Sequence, residues 1–255
     1  MRDGETASVS IANLSKHFDG VYALDGVSFT FERGKITGVI GPNGSGKSTL
    51  INVLTGVMPI DGGEVIISSA ERLTKILPHD VPSLGMTRTF QDVRLFEQMP
   101  VLDNVLLALT ERGVFRSFFE KYRAVHLEKA KEALVAIGLW DKRQELASSL
   151  SYGQRKLLEV ARVLAMTRSN ARNIDTIFFD EPFAGLFPQM IKTVTAVIKD
   201  LRSQGKTIVL VEHNIKLIRE LCDTLYVLDS GKVLAEGSVG KTLAHPDVKE
   251  AYLGE

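Results

Sequence analysis

The segment that most narrows the possible folds is KITGVIGPNGSGKSTLINVLTG, residues 35–56. An apolar run meets a glycine-rich turn and then an amphipathic stretch at helical spacing, which reads as strand, loop and helix. Gly41 through Ser48 match the pattern G-x-x-x-x-G-K-[ST] in the structural context that pattern requires. Such a loop lets backbone N–H groups curl around phosphates where a Cβ would obstruct the approach. The candidate cradle is Gly41, Pro42, Asn43, Gly44, Ser45, Gly46, Lys47, Ser48 and Thr49. Lys47 is placed to reach β- and γ-phosphates, and the Ser48 hydroxyl to join a Mg²⁺ shell. A chance glycine-rich turn is the bland alternative, and the flanking strand and helix argue against it.

An acidic counterpart follows downstream. In TIFFDEP, a run of apolar residues places Asp180 at the C-terminal end of a buried strand, where open α/β sheets bind ligands. Asp180 suits a Mg²⁺ contact, and Glu181 could polarise a water attacking the γ-phosphate. A lone Asp-Glu pair is otherwise a solvated turn. His213 is read as ending the strand TIVLVEH, where it could touch the γ-phosphate or orient water, although a single histidine is ordinarily a surface or packing residue. Gln91, in RTFQDVRLF, is by pattern alone a strand or loop residue. Phe18 is by default core, unless its ring is exposed and stacks on a base.

A second anion-binding helix start lies in LSYGQRKLLEVARVLA, residues 150–165. Ser151 is a good N-cap, Gly153 keeps the backbone open, and apolar residues recur at helical spacing. Free N–H groups and the helix dipole would then face outward. Two phosphate-binding helix starts in one chain need an explanation.

The rest of the chain alternates. Residues 8–33 read as half-buried antiparallel strands, GGEVIIS as a further strand, and residues of about 101–135 as helical. NIDTIFFDEP and KTIVLVEHN flank the helix QMIKTVTAVIKDLRSQG, the order of a parallel sheet. DTLYVLDSGKVLAEGS reads as a hairpin turning at Ser230-Gly231. The layout is an α/β core with a helical insertion at about 93–160. With 255 residues, a formal net charge of +0 and one cysteine, the chain has ample core material, no basic excess for nucleic acid, and no intramolecular disulfide. Cys222 reads as a small buried hydrophobe. The N-terminus lacks a signal-peptide core, and no apolar run approaches the roughly 18 residues of a membrane span. The chain is expected to be soluble, with any membrane role exercised through a partner.

The ordered set of GPNGSGKST, FQ, LSYGQ, FFDEP and VEH resembles the ATP-binding subunit of an ABC transporter across nearly the whole chain. The resemblance implies a P-loop NTPase core (an α/β ABC ATPase fold) with an antiparallel β subdomain and a helical insertion, in a single domain. It gives Phe18 to the aromatic loop at the adenine, Gly41–Thr49 to the Walker A, and Gln91 to Mg²⁺ and the membrane subunits. Leu150, Ser151, Tyr152, Gly153 and Gln154 match the signature sequence. Asp180 matches the Walker B aspartate, Glu181 the catalytic glutamate and His213 the switch histidine. ATP and Mg²⁺ are the implied cofactors. The second helix start then has a use: in a head-to-tail dimer, Ser151 and Gly153 of one subunit would cap the γ-phosphate held by the Walker A of the other. Homodimer and heterodimer stay open. Two transmembrane permeases, an indirect solute-binding protein and a place on the inner face of the cell membrane follow from the same resemblance.

RTFQDVRLFEQMPVLDNVLLAL and the ending HPDVKEAYLGE resemble the ATPases of branched-chain amino acid importers; urea importers share that style. DEPFAG followed by EHNIKLIRELCD is similar to the ATPase of lipopolysaccharide export. A soluble ABC protein of repair or translation is a further alternative, but it ordinarily carries two cassettes or a long coiled coil. Two departures stand out. Tyr152 replaces a signature glycine, a variant that resembles the amino-acid importer group. Phe187 occupies a position where the family carries Asp or Asn, so it is either a seam residue with no polar contact or a packing residue for the next helix. The polar stretch TRSNARNIDT, residues 167–176, has no functional reading.

Overall fold

The computed structural model describes residues 7–68, 71–91, 93–110, 120–168 and 173–253. Part of the polar stretch, 169–172, lies outside them. The chain divides into two compact units, one of residues 1–88, 175–181 and 200–255, the other of residues 89–174 and 182–199.

The first unit holds two sheets. Strands β1 (Ala7–Phe18) and β2 (Val21–Glu32) pair antiparallel, as their alternation predicts, and β4 (Gly62–Ile67) and β5 (Glu71–Leu73) extend the sheet in the order β2-β1-β4-β5. One face of this sheet supplies Val9, Ile11, Leu14, Leu24, Val27, Phe29, Phe31 and Val65 to the core. The same core takes Leu50, Ile51, Val53 and Leu54 of helix α1 (Lys47–Leu54).

The second sheet runs β10-β9-β3-β8-β7-β6. Its centre is β3 (Ile36–Ile40), β7 (Thr176–Asp180) and β8 (Thr207–Val211), whose residues are all buried. Burial on both faces is why these strands read as continuous apolar runs. β8 lies in parallel register between the other two, with Val211 opposite both Val39 and Asp180. The ends of three strands are thereby brought side by side. Strands β9 (Thr224–Asp229) and β10 (Lys232–Ser238) form the expected hairpin, with Ser230 and Gly231 both at positive φ, 47° and 76°, as a two-residue I′ turn requires.

Two differences from the sequence reading concern strand ends. β8 stops at Val211, so His213 lies two residues beyond it. β6 (Met86–Arg88) and β5, of three residues each, are too short to show a period of two.

In the second unit, α2 (Val101–Leu109), α3 (Glu120–Ala136) and α4 (Tyr152–Thr167) pack on one another, and Val101, Val105, Leu109, Ala130, Leu134, Leu158, Ala161 and Ala165 are among their buried residues. Helix α5 (Pro188–Ser203) runs from this unit's last segment. Short helices α6 (Ile215–Leu221), α7 (Val239–Leu243) and α8 (Pro246–Val248) belong to the first unit. Among the described residues no helix is long and apolar enough to cross a membrane. Cys222 lies beside Gly38, and burial, with Asp223 and Glu212 adding, pushes its thiol up to about 12. Cys222 is half-buried, not the fully buried hydrophobe that was expected.

Candidate nucleotide-binding site

The loop after β3 is fixed by glycine where backbone comes close. A Cβ on Gly41 would run into the Leu228 carbonyl oxygen and the Ser45 hydroxyl, and one on Gly46 into the Ala23 carbonyl oxygen. Gly46 also sits at φ 103° as the N-cap of α1, which has no side-chain cap. The first N–H groups of that helix are therefore left for another acceptor. The Ser48 side chain is exposed on the first turn, Asn43 and Gly44 are exposed, and Pro42 and Thr49 are half-buried.

Lys47 is folded onto its own loop. Its Nζ donates to the carbonyl oxygens of Gly41 at 2.9 Å and Pro42 at 2.8 Å, and to Ser45 Oγ at 3.4 Å. Burial draws the ammonium below its ordinary range, while the negative fields of Glu181 and then Asp180 act to keep it charged. An anion entering the loop would meet a cation already in place, an uncapped helix start and no side-chain bulk. These residues fit a polyphosphate.

Asp180 closes β7 and is 2% exposed. Its Oδ2 accepts from Arg88 Nη2 at 3.0 Å. Arg88 also donates from Nη1 to Asn52 Oδ1 at 2.8 Å and Thr55 Oγ1 at 2.9 Å. The guanidinium thus fastens β7 to the far end of α1. Sequence reasoning missed Arg88, because a lone arginine on a three-residue strand carries no periodic or motif signal.

Glu181 follows in the left-handed region at φ 47°, a conformation that costs a non-glycine residue about 1–3 kcal/mol and tends to mark functional positions. Its N–H still donates to the Val211 carbonyl at 3.0 Å, so the turn begins on a residue anchored to β8. That turn brings Glu181 Oε1 within 2.8 Å of His213 Nε2. His213 is held in turn by Glu212, whose Oε2 accepts from the N–H groups of His213 and Asn214 at 3.0 and 3.3 Å. A carboxylate and an imidazole in direct contact can hold and pass a proton. Among the described residues no group of three or more His, Cys, Asp or Glu could cage a metal. Asp180 and Ser48 instead offer the sparse oxygen set with which Mg²⁺ is held alongside phosphates.

Phe18 ends β1 and is 44% exposed, so it is not the core residue that phenylalanine is by default. Lys16 Nζ lies 5.3 Å from its centroid. The same hairpin places the Ala23 backbone against Gly46 and Gly231, which sets an exposed aromatic end beside the loop.

The second unit carries the remaining candidates. Ser151 caps α4 as predicted, its Oγ accepting from Gln154 N at 3.3 Å while Gln154 Oε1 accepts from Ser151 N at 3.0 Å. Leu150 is buried, and its carbonyl accepts from Arg155 Nε. Gly153 faces Met190 and Leu186, and the Tyr152 ring covers Gly185. Gln91 is exposed, and its carbonyl accepts from Lys156 Nζ at 2.6 Å. Phe187 is 74% exposed, which removes the reading of it as a packing residue within this chain.

A phosphate loop after β3 and two consecutive acidic residues at the end of β7, in one sheet with β8 between them, have close parallels among known proteins. The family model described as ABC transporter matches residues 24–184. The high-affinity branched-chain amino acid transport ATP-binding protein LivG of Salmonella typhimurium is 35% identical, over 97% of this chain and 98% of that one. A nucleotide-free ATP-binding cassette from an ABC transporter superposes with TM-score 0.82 at 34% identity, covering 98% of this chain and all of that one. The ADP conformation of such a cassette superposes with TM-score 0.81 at 34% identity, over 98% and 99%. Agreement of fold, loop geometry and near full-length similarity leads to one conclusion: the chain belongs to the ABC transporter family, as an ATP-binding subunit.

Proposed function

We propose that this ATPase powers the import of branched-chain amino acids, and that the Glu181–His213 pair activates the water that cleaves ATP. The observation that carries the chemistry is the 2.8 Å contact between Glu181 Oε1 and His213 Nε2, just past the ends of β7 and β8, with the Glu181 charge acting on Lys47. Water oxygen attacks the γ-phosphorus, the bond to the ADP oxygen breaks, and Glu181 takes the proton. His213 holds the carboxylate in place and shares that proton. Lys47 leaves its own loop carbonyls to meet the β- and γ-phosphates. Ser48 and Asp180 would hold Mg²⁺, which offsets phosphate charge and orients the γ-phosphate. Phe18 offers its ring to the adenine.

The similarity to LivG, whose name specifies branched-chain amino acid transport, favours amino-acid import over the urea and lipopolysaccharide alternatives. The working unit on this reading is a single ATPase domain, with residues of about 93–160 as a helical subdomain. It pairs head-to-tail with a second copy or a paralogue, so that Ser151 and Gly153 meet the partner's nucleotide. Ser151 Oγ accepts from Gln154 N–H and keeps its own proton for a phosphate oxygen. Two permeases, and through them a solute-binding protein, complete a complex on the inner face of the membrane, with Gln91 serving Mg²⁺ and the permease contact.

The test is Glu181→Gln. Turnover should fall by about 10²–10⁴-fold, the range for lost general-base assistance, while an equilibrium titration shows ATP binding retained. Parent-like hydrolysis would overturn the assignment. The transport reading is tested by co-purification with permeases and by leucine-stimulated ATPase in vesicles.

A further inference from the structure

Helix α4 buries two full charges on the face that carries its apolar residues. Lys156 is 2% and Glu159 is 4% exposed, and charged side chains are buried at a cost that an apolar residue would avoid. With Arg162 they fall at i, i+3 and i+6, one stripe of the helix. All three reach the irregular chain ahead of α2. Lys156 Nζ donates to the Gln91 carbonyl at 2.6 Å, Glu159 Oε1 accepts from Arg94 N–H at 2.9 Å, and Arg162 Nη1 donates to the Arg94 carbonyl at 2.5 Å.

Backbone outside helices and sheets must find hydrogen-bond partners elsewhere, and farther along the same stretch Asn104 of α2 serves Phe96, Met99 and Pro100 in that way. The α4 stripe does something more specific. A carboxylate and a guanidinium grip both the N–H and the C=O of Arg94, which fixes that residue's orientation, while the ammonium holds Gln91 itself. The adjoining cleft, lined by Thr89, Phe90, Lys156, Glu159, Val160 and Pro182, leaves essentially 0 Å³ for even a water-sized body, against the ~300 Å³ of a small-molecule site. The charges serve the chain and not a ligand.

We propose that Lys156, Glu159 and Arg162 are positioning residues that tie the backbone at Gln91 and Arg94 to α4, so that Gln91 and the helix start at Ser151 move as one piece. The tie rests on the reading above, in which Gln91 faces Mg²⁺ and the permeases and Ser151 the partner's nucleotide. Any displacement imposed on Gln91 is then delivered to Ser151 through one helix.

The experiment compares Glu159→Met, which removes the acceptor, with Glu159→Gln, which keeps one. Amide exchange at Arg94 is read without nucleotide, and ATPase kcat and KM are read in the assembled complex. Glu159→Met should speed Arg94 exchange and lower kcat, each about 10-fold, as expected for the loss of one hydrogen bond to a charged group. KM for ATP should stay within about twofold, and Glu159→Gln should restore both readouts. If Glu159→Met fails to fold, Arg162→Met, at a less buried position, should show the same pattern. Parent-like exchange and kcat overturn the proposal, as does faster exchange with unchanged kcat, or a Glu159→Gln as impaired as Glu159→Met. Glu181→Gln measured in parallel separates the two ideas, since its phenotype does not depend on the α4 stripe.

Discussion

The two helix starts with anion-binding character are built in opposite ways. α1 begins at Gly46, left-handed and with no side-chain cap, whereas α4 begins at Ser151 inside a reciprocal capping box with Gln154. The first leaves its donors open and depends on other parts of the fold to hold it. The second satisfies its own donors and needs no ligand to be stable. An open start suits a loop that wraps a phosphate chain. A self-capped start suits a surface that presents one hydroxyl and a little backbone to a neighbour. On the function proposed above, a shared motif of glycine and helix dipole serves as a container in one place and as a lid in another.

The comparison can be broken most forcefully from beneath α1. If the open start is tolerated because Arg88 fastens Asn52 and Thr55 to Asp180, Arg88→Met should cost about 3 kcal/mol of unfolding free energy, the low end for breaking a buried charge pair. Denaturant titration measures it, and parent-like stability would show that α1 needs no such support. Next in size is Lys47→Ala, which should cost about 1.5–3 kcal/mol of ATP affinity, roughly 10–100-fold in Kd, with the melting curve little changed. Calorimetric titration of ATP decides this, and unchanged affinity would mean that the open start is not the container.

On the α4 side, Ser151→Ala should lower stability by about 1 kcal/mol through the lost cap, with a fall in turnover. Ser151→Asp keeps a capping oxygen and removes the hydroxyl donor, so stability should recover while turnover does not. Thermal melts beside steady-state ATPase separate the two roles. The smallest effect lies at the aromatic end of the hairpin beside α1. His17 N–H first, and then Lys16, hold the Asp61 carboxyl below its usual range. A carboxyl lowered on folding stabilises above its unfolded pKa of about 3.9, and that contribution is lost as pH falls through the lower folded value. Asp61→Asn should therefore cost at most about 1 kcal/mol at pH 7. The gap from the parent should close in acid, as stability measured from pH 7 down to 3 would show.

Much of this arrangement was legible from sequence, for reasons specific to each element. The buried runs of β3, β7 and β8, the alternation of β1 and β2, and Ser230-Gly231 at a hairpin turn each follow from local chemistry. Asp180 could be placed because three apolar residues, Ile177, Phe178 and Phe179, lead into it at a strand end. Arg88 could not, because its meaning lies in contacts with Asn52, Thr55 and Asp180, three residues distant in sequence. The buried Lys156 and Glu159 were equally silent, since charges within a helical repeat read as its solvated face. For Phe187 two readings stood open, and only its exposed ring separated them.

The sequence by itself determined the periodicities, the glycines at positions where a Cβ would collide, and the order of the motifs, because those depend on neighbours a few residues apart. The tertiary structure alone decided that Glu181 turns left-handed to meet His213, that Lys47 rests on its own loop, and that α4 grips the backbone at Gln91 and Arg94. Apart from Lys47, whose partners lie five and six residues back, these are long-range choices of partner. A buried charge takes whichever opposite dipole the packing brings within about 3 Å, and no local pattern records which one that will be.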